Sequence, residues 1–268
     1  MAQNSPSRPR HICVQKSVQL SPHLQRIYFS SQEFADFPIQ HGAHIKLFFP
    51  QQHDQIPALP TPNQHGKMSW PAQDKPVART YTVRDFVVDE QLLVVDFVRH
   101  ADFGIAADWA VHAQPGDILG LAGPGGQARF LAEADYWLMM GDLSALPMLA
   151  ASLAQLPAHA QGHVWIEIED QRDQIALNCP KGMQIHWVIT SHDDLYQQVE
   201  QLCQQLDWQQ QISVTLAGEN TRVIALRHLF RHHYSIPKKN LYAVPYWKKG
   251  YAEEGYHQER HAVMDADA

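Results

Sequence analysis

The sequence predicts two domains, an N-terminal antiparallel β-barrel followed by an α/β domain with a parallel sheet. Residues 10–130 have the pattern of short strands separated by turns, whereas residues 131–235 alternate strand-like and helix-like segments. The length of 268 residues suits two domains of ordinary size. Residues 236–268 are basic and aromatic, and we expect them to form a C-terminal tail with one short helix.

The strands of the first domain are predicted from β-branched and aromatic residues that alternate with polar ones. They are His11–Leu20, Leu24–Ser30, His44–Phe49, Arg79–Phe86, Gln91–Arg99 and Asp117–Leu121. Short strands at this spacing are typical of a barrel or a sandwich. Residues 50–76 are rich in Pro, Gln and His, which favours a long surface excursion between two strands.

The second domain is predicted from alternating buried strands and amphipathic helices. The strands are Tyr136–Met140, His163–Glu169, Ile185–Thr190 and Ser213–Ala217. The helices are Ala145–Leu156, Asp193–Leu206 and Arg222–His232. This alternation indicates a parallel sheet with covering helices, so we expect a ligand at the carboxyl ends of the strands.

The charge of the chain is unevenly distributed. Its 21 basic and 28 acidic residues give a net charge of −7, which argues against bulk binding to nucleic acid. Residues 222–260 carry eight Lys or Arg and three Glu, a local charge of +5, and the rest of the chain therefore carries −12. This basic segment is either a local site for an anionic ligand or a solvated helix face.

The cysteines and histidines do not predict a metal site. Cys13, Cys179 and Cys203 are far apart in the chain, which argues against a disulfide framework, a zinc site and an iron–sulfur cluster. The 17 histidines are scattered. The polar N-terminus has no apolar signal region, and no apolar run approaches about 18 residues. We therefore expect a cytoplasmic protein without a membrane span. We also expect a monomer, because the sequence offers no obvious apolar patch for a partner subunit.

The run from Arg79 to Arg84, RTYTVR, is the first candidate for a ligand site. Side chains alternate along a strand, so Arg79, Tyr81 and Val83 should share one face. A guanidinium two positions from a phenol suits a ligand that is anionic at one end and flat at the other, such as a flavin nucleotide. The alternative is an exposed strand in which Arg and Thr alternate.

Further candidates follow other predicted strands. The run HADFGIAADWA at 100–110 places small residues before a short helix, where free backbone N–H groups can bind a phosphate. The runs GDLSALP at 141–147 and AGEN at 217–220 follow two strands of the same sheet. The run YWKKG at 246–250 is either a packed anchor or a lid that stacks on one group and neutralises another.

These motifs, with GPGG at 123–126, together resemble the siderophore-interacting proteins, a family of NAD(P)H-dependent ferric-siderophore reductases within the ferredoxin–NADP reductase-like flavoproteins. The resemblance extends from about residue 10 to about residue 257. It implies an N-terminal antiparallel Greek-key FAD-binding barrel and a C-terminal parallel-sheet domain that binds NADH or NADPH.

The resemblance also implies roles for individual residues. The residues that would hold FAD are Arg79, Thr80, Tyr81, Thr82, His100, Gly104, Ala106, Ala107 and Trp109. Those that would border the nicotinamide nucleotide are Asp142, Ser144, Ala145 and Glu219. Those that would receive an anionic ferric siderophore are Lys46, Arg129, Trp247, Lys248 and Lys249. Ala106 and Ser144 depart mildly from the family, which more often has Ser and Thr there. No catalytic acid or base and no protein ligand to iron is implied.

Other functions remain open at this point, among them a histidine-rich metal buffer. The protein could be a general NAD(P)H–flavin reductase whose acceptor is a protein or a quinone, or a siderophore-binding protein without turnover. Glu167, Glu169 and Asp170 end the second α/β strand, where an acidic group can bind a ribose diol and repel a 2′-phosphate. They favour NADH, although Arg172 nearby could act in the opposite direction.

Overall fold

The chain divides into two compact units, residues 1–128 and 129–268. The structure is a computed structural model, and it describes residues 7–65, 67–71, 75–100, 104–125, 132–251 and 255–256. Each unit has its own sheet, and the predicted fold class is confirmed.

The first unit contains a seven-stranded antiparallel sheet in the order β6-β3-β9-β1-β2-β8-β7. Its strands are β1 (Arg10–Ser21), β2 (Leu24–Ser30), β3 (His44–Phe49), β6 (Val77–Thr82), β7 (Asp85–Val87), β8 (Leu92–Val98) and β9 (Ile118–Gly125). Helix α1 (Ile105–His112) lies between β8 and β9 in the chain. Two short strands, β4 (Thr61–Pro62) and β5 (Met68–Ser69), form a separate hairpin within the predicted excursion.

The sheet curls because the chain crosses from one edge to the other between β6 and β7. The amide of Val83 donates to Ala43 beside β3, whereas the amide of Arg84 donates to Val94 on β8. The predicted single strand Arg79–Phe86 is therefore wrong and is divided in two at this crossing. On β8, Asp96 accepts two hydrogen bonds from Arg26, at 2.6 and 2.8 Å.

The second unit contains a five-stranded parallel sheet in the order β12-β11-β10-β13-β14. Its strands are β10 (Tyr136–Asp142), β11 (Gln161–Ile168), β12 (Gly182–Ile189), β13 (Ile212–Glu219) and β14 (Leu241–Trp247). The helices are α2 (Leu146–Leu153), α3 (Leu195–Cys203) and α4 (Asn220–His228), the last continued by a π-helical turn over Leu229–His233. Apolar side chains of α3 and α4 pack on the sheet in one buried cluster.

Strand β14 is the main difference from the predicted organisation. It lies in the segment that the sequence analysis assigns to a tail, yet it pairs with β13 from Val214↔Leu241 to Glu219↔Trp247. The described helices include none that is both long and apolar enough to cross a membrane.

Candidate functional site

Tyr81 and Lys46 lie on opposite faces of the paired strands β3 and β6. The Tyr81 ring packs on the barrel core, with centroid distances of 4.4 Å to Phe97 and 6.2 Å to Phe49. Lys46 lies opposite Thr80 in the strand register, and its Nζ donates to the Thr80 hydroxyl. This pairing places an ammonium group on the outer face of the sheet, next to two of the predicted flavin ligands.

The other predicted ligands on β6 have different degrees of burial. Arg79 is half-buried and lies opposite Leu47 in the register, so it shares the face of Tyr81. Thr82 is 7% exposed, which leaves little of its side chain for a ligand. Val83 is fully buried in the core. The expected alternation of side chains is present up to the point where the chain crosses between sheet edges.

The start of helix α1 offers backbone donors to a ligand. Gly104 precedes the helix in an extended conformation, and no side chain among the described residues caps the first turn. A Cβ added at Gly104 would have no atom within 4 Å among the described residues. His100 is exposed, and residues 101–103 of the predicted loop lie outside the described residues. An uncapped helix start with open space beside it suits an anionic group.

The side chains of α1 face the barrel core. Ala106 and Ala107 are buried, and Trp109 is 3% exposed. The indole of Trp109 stacks on His53, with 5.7 Å between centroids and 21° between planes. His53 belongs to the predicted surface excursion, so part of that excursion covers α1. The three predicted ligands on α1 therefore lie where side-chain contact with a ligand is limited.

Arg99 is a residue that the sequence analysis did not assign to the site. It follows β8 directly, and its amide donates to the carbonyl of His23 at 2.8 Å. Its Nη1 atom and the Nε1 atom of Trp109 are buried and have no hydrogen-bond partner among the described residues. A buried, unpaired guanidinium nitrogen is costly unless an acceptor satisfies it. The oxygen of an anionic ligand such as a phosphate would be a suitable acceptor. The sequence signal for this residue is a cation directly before the predicted loop at 100–104.

In the second unit, three of the predicted motifs meet at the carboxyl edge of the sheet. Asp142 ends β10, and its Oδ2 accepts from the amide of Glu219, which ends β13, and from the indole of Trp247, which ends β14, each at 2.8 Å. Its Oδ1 accepts from the amide and hydroxyl of Ser144. Ala145 is fully buried. The carboxylate of Asp142 is thus engaged by protein donors.

The carboxylate of Glu219 has a similar role at the start of α4. It accepts from the amides of Thr221 at 2.6 Å and Arg222 at 3.3 Å, which makes it the N-cap of the helix. The amide of Lys249 lies 3.5 Å from its other oxygen. Glu219 and Asp142 therefore organise the loops that follow the strands.

Glu167 is a buried acid at the same edge. It is 9% exposed and forms an ion pair with Arg222, with 3.3 Å between Oε1 and Nε. Burial raises the pKa of the Glu167 carboxyl to about 7, although the nearby Arg222 charge opposes the shift. Asp170 is engaged by Arg172, which donates to both of its carboxylate oxygens at 3.0 Å, and Glu169 is exposed.

The predicted substrate residues of the second unit lie in one turn. Trp247 is 43% exposed, Lys249 is exposed, and the half-buried Lys248 lies over the ring of Tyr251, 4.4 Å from its centroid. Arg129 lies outside the described residues. Within the part of the chain that the structure describes, no three His, Cys, Asp or Glu side chains form a group that could hold a metal ion.

Comparisons with known proteins cover both units. Residues 13–128 match the model of the siderophore-interacting FAD-binding domain family. Residues 134–250 match the model of the siderophore-interacting protein family. The chain is 38% identical over 263 residues to the ferric vibriobactin reductase ViuB of Vibrio cholerae, covering 97% of this chain and 96% of that protein. It is 33% identical over 192 residues to the NADPH-dependent ferric-chelate reductase of Escherichia coli, covering 70% and 73%.

A solved structure agrees with this relationship. The siderophore-interacting protein SipS from Aeromonas hydrophila superposes with a TM-score of 0.82 at 34% identity, covering 97% of this chain and all of the other. The match to an FAD-binding domain assigns FAD as the cofactor of the first unit. The chain belongs to the siderophore-interacting protein family.

Proposed function

We propose that this protein is an NAD(P)H-dependent reductase of ferric siderophores, which releases Fe(II) for iron assimilation. The observation that carries the proposal is the 38% identity to a ferric vibriobactin reductase over nearly the full length of both chains. The first unit would hold FAD, which would supply the redox chemistry that links hydride uptake from the nicotinamide to single-electron transfer to Fe(III). Hard oxygen donors of a siderophore hold Fe(II) less well than Fe(III), so reduction loosens the metal.

The first unit would bind and orient FAD. Arg79 and Arg99 would neutralise the phosphates, and the backbone amides at the start of α1 would donate to them. Tyr81 would lie against the isoalloxazine, since its ring is fixed by the barrel core on one side. Thr80, Thr82 and His100 would line the remaining path, and Gly104 would allow the chain to approach the pyrophosphate closely.

The second unit would bind the nicotinamide nucleotide at the carboxyl edge of its sheet. Ser144 and its loop at 141–147 would border the pyrophosphate, while Asp142, which accepts from the amide and hydroxyl of Ser144 and from the amide of Glu219, holds the loops in place. Glu167 and Asp170 are already paired with arginines, so the exposed Glu169 would carry the preference for NADH over NADPH. Comparing kcat/KM for NADH and NADPH in the parent and in Glu169→Gln tests this preference.

Basic residues would attract an anionic ferric complex. Lys46 on the barrel and Lys248 and Lys249 after β14 supply positive charge, and Trp247 offers an exposed ring. Arg129 is assigned to the same role from the family resemblance alone. Their attraction is Coulombic and weakens as salt is added.

The test is an absorption spectrum of the purified protein, followed by NADH or NADPH and then a ferric siderophore under argon. We expect flavin bands that the nucleotide bleaches and the ferric complex restores. Bleaching without recovery would indicate a protein or quinone acceptor. A protein that neither contains FAD nor binds added FAD would overturn the proposal in favour of siderophore binding without turnover.

A further inference from the structure

Asp142 connects parts of the second unit that are distant in the sequence. Its two oxygens accept five hydrogen bonds, three from the loop that follows β10 and one each from the ends of β13 and β14. A carboxylate has about four lone-pair sites, so these donors occupy it fully. A ligand could bond to Asp142 only by displacing one of them, which points to a role other than direct contact.

Gly218 leaves space for the carboxylate of Asp142. Gly218 has φ of +125°, and a Cβ added there would lie 2.6 Å from Oδ2 of Asp142. Any side chain at position 218 would therefore clash with the group that accepts from Glu219 and Trp247. The glycine of the AGEN run thus serves the contact between strand ends.

The turn that follows β14 is held by the carboxylates of Asp142 and Glu219. The indole of Trp247 is held by Asp142 at 2.8 Å, and the amide of Lys249 lies 3.5 Å from Glu219. Within the turn, the amide of Tyr251 donates to the carbonyl of Lys248 at 3.1 Å, and Gly250 has φ of +82°. Lys248 stacks on the ring of Tyr251. The orientation of both lysines is therefore tied to contacts made by acidic groups on β10 and β13.

We propose that Asp142 is a positioning residue for recognition of the ferric complex, acting through the indole N–H of Trp247. A charge-assisted hydrogen bond fixes the ring of this exposed residue and with it the start of the Trp247–Tyr251 turn. Because Asp142 also holds the nucleotide loop through Ser144, it links the two binding regions of this unit. The inference rests on the proposed function, since it concerns the same substrate.

Steady-state kinetics with an anionic ferric siderophore test the substrate side of the inference. Trp247→Phe keeps an aromatic ring but removes the donor, and we expect it to raise the KM for the ferric complex roughly five- to tenfold, with a smaller change in kcat and unchanged flavin content. Trp208→Phe is the matched control, because the Trp208 indole donates to the carbonyl of Cys203, away from this edge. We expect the control to retain the parental KM.

A double-mutant cycle separates positioning from a general loss of structure. Asp142→Asn should also raise the KM for the ferric complex, but it should add nothing to that KM in the Trp247→Phe background. Additive effects of the two substitutions would overturn the inference. Asp142→Asn alone should also weaken nucleotide binding, because it disturbs the bonds to Ser144.

A spectroscopic readout tests the hydrogen bond without turnover. The chain has seven tryptophans, so protein labelled with ¹⁵N-tryptophan gives up to seven indole N–H signals, and Trp247→Phe identifies the one from Trp247. We expect that signal to move upfield in Asp142→Asn, while the Trp208 signal stays in place. An unmoved Trp247 signal overturns the inference even if ferric siderophores are reduced, and a moved signal supports the contact even if they are not.

Discussion

The ring of Tyr81 lies 4.4 Å from the ring of Phe97, measured between centroids, although their strands are not hydrogen-bonded neighbours. Tyr81 is on β6 at one edge of the curled sheet, and Phe97 is on β8, one strand from the other edge. The aromatic contact therefore helps to close the barrel where backbone pairing is absent. The side chain predicted to face the flavin is also part of the barrel core.

The double role of Tyr81 predicts different effects for two substitutions. Tyr81→Ala removes ring packing against Phe97 and Phe49 and should lower the free energy of unfolding by about 2–4 kcal/mol. Tyr81→Phe keeps that packing and should cost only the contribution of one hydroxyl, about 1 kcal/mol. Urea denaturation of the flavin-free protein, followed by circular dichroism, measures both. Equal losses in the two variants would contradict a packing role.

Parts of the fold were predictable because the local pattern is strong. Strands β2 and β3 match their predicted bounds, since apolar side chains occupy most of their buried positions. The break between β6 and β7 was not predictable, because alternation continues across it and only tertiary pairing sends the amides of Val83 and Arg84 to different partners. Strand β14 was missed because Pro245 argues against a strand, and an edge strand tolerates it.

The candidate site was predictable to a similar degree. Parallel strands bring their carboxyl ends to one edge, so the meeting of the loops after β10 and β13 followed from the alternation of elements. The partners of Asp142 did not follow, because they depend on β14 and on the space left by Gly218. Arg99 was missed because an arginine at the end of a strand is usually solvent-exposed, and only the structure shows that its Nη1 atom is buried.

The buried Nη1 atom of Arg99, which has no hydrogen-bond partner among the described residues, predicts a role in FAD binding. Arg99→Met should weaken FAD binding by roughly tenfold or more, since a charge-assisted contact to a phosphate would be lost. The flavin-free protein should be no less stable, because the substitution removes a buried polar atom that has no hydrogen-bond partner among the described residues. Quenching of FAD fluorescence on titration measures the affinity, and thermal unfolding measures the stability.

The matched control for Arg99 is Arg172→Met. Arg172 is an exposed arginine whose partner is Asp170, at the edge of the other sheet. We expect this variant to bind FAD like the parent. Unchanged FAD affinity in Arg99→Met, or an equal loss in both variants, would remove Arg99 from the flavin site.

The pair formed by the buried His163 and the half-buried His186 predicts a loss of stability in acid. Nδ1 of His163 lies 2.7 Å from Nε2 of His186, with 14° between the ring planes, so one imidazole donates to the other. Burial, and secondarily the neighbouring His186, lowers the pKa of His163 from 6.5 to about 4, and burial also lowers the pKa of His186. Tyr136 and Trp165 contact the pair and carry no charge at neutral pH.

The direction of the change in stability with pH follows from proton binding to His163 in the folded and unfolded states. Between pH 6.5 and about 4 the unfolded chain binds a proton at His163 that the folded protein excludes, so stability is complete above pH 6.5 and falls as the pH decreases through this window. We expect His163 to account for roughly 1–3 kcal/mol of that loss. Urea denaturation at several pH values should show a shallower decline in His163→Gln. An identical pH profile would show that His163 titrates alike in both states.

The lysines predict a salt-dependent preference for anionic substrates. Lys46→Ala or Lys248→Ala should raise the KM for an anionic ferric complex roughly three- to tenfold and leave flavin content unchanged, because each removes one positive charge. The difference from the parent should shrink as NaCl rises from about 0.05 to about 0.5 M, and it should be absent with an uncharged ferric complex. Lys239→Ala, which removes an exposed charge before β14, is the control and should behave like the parent. Parental KM values in the first two variants at low salt would show that these lysines do not attract the substrate.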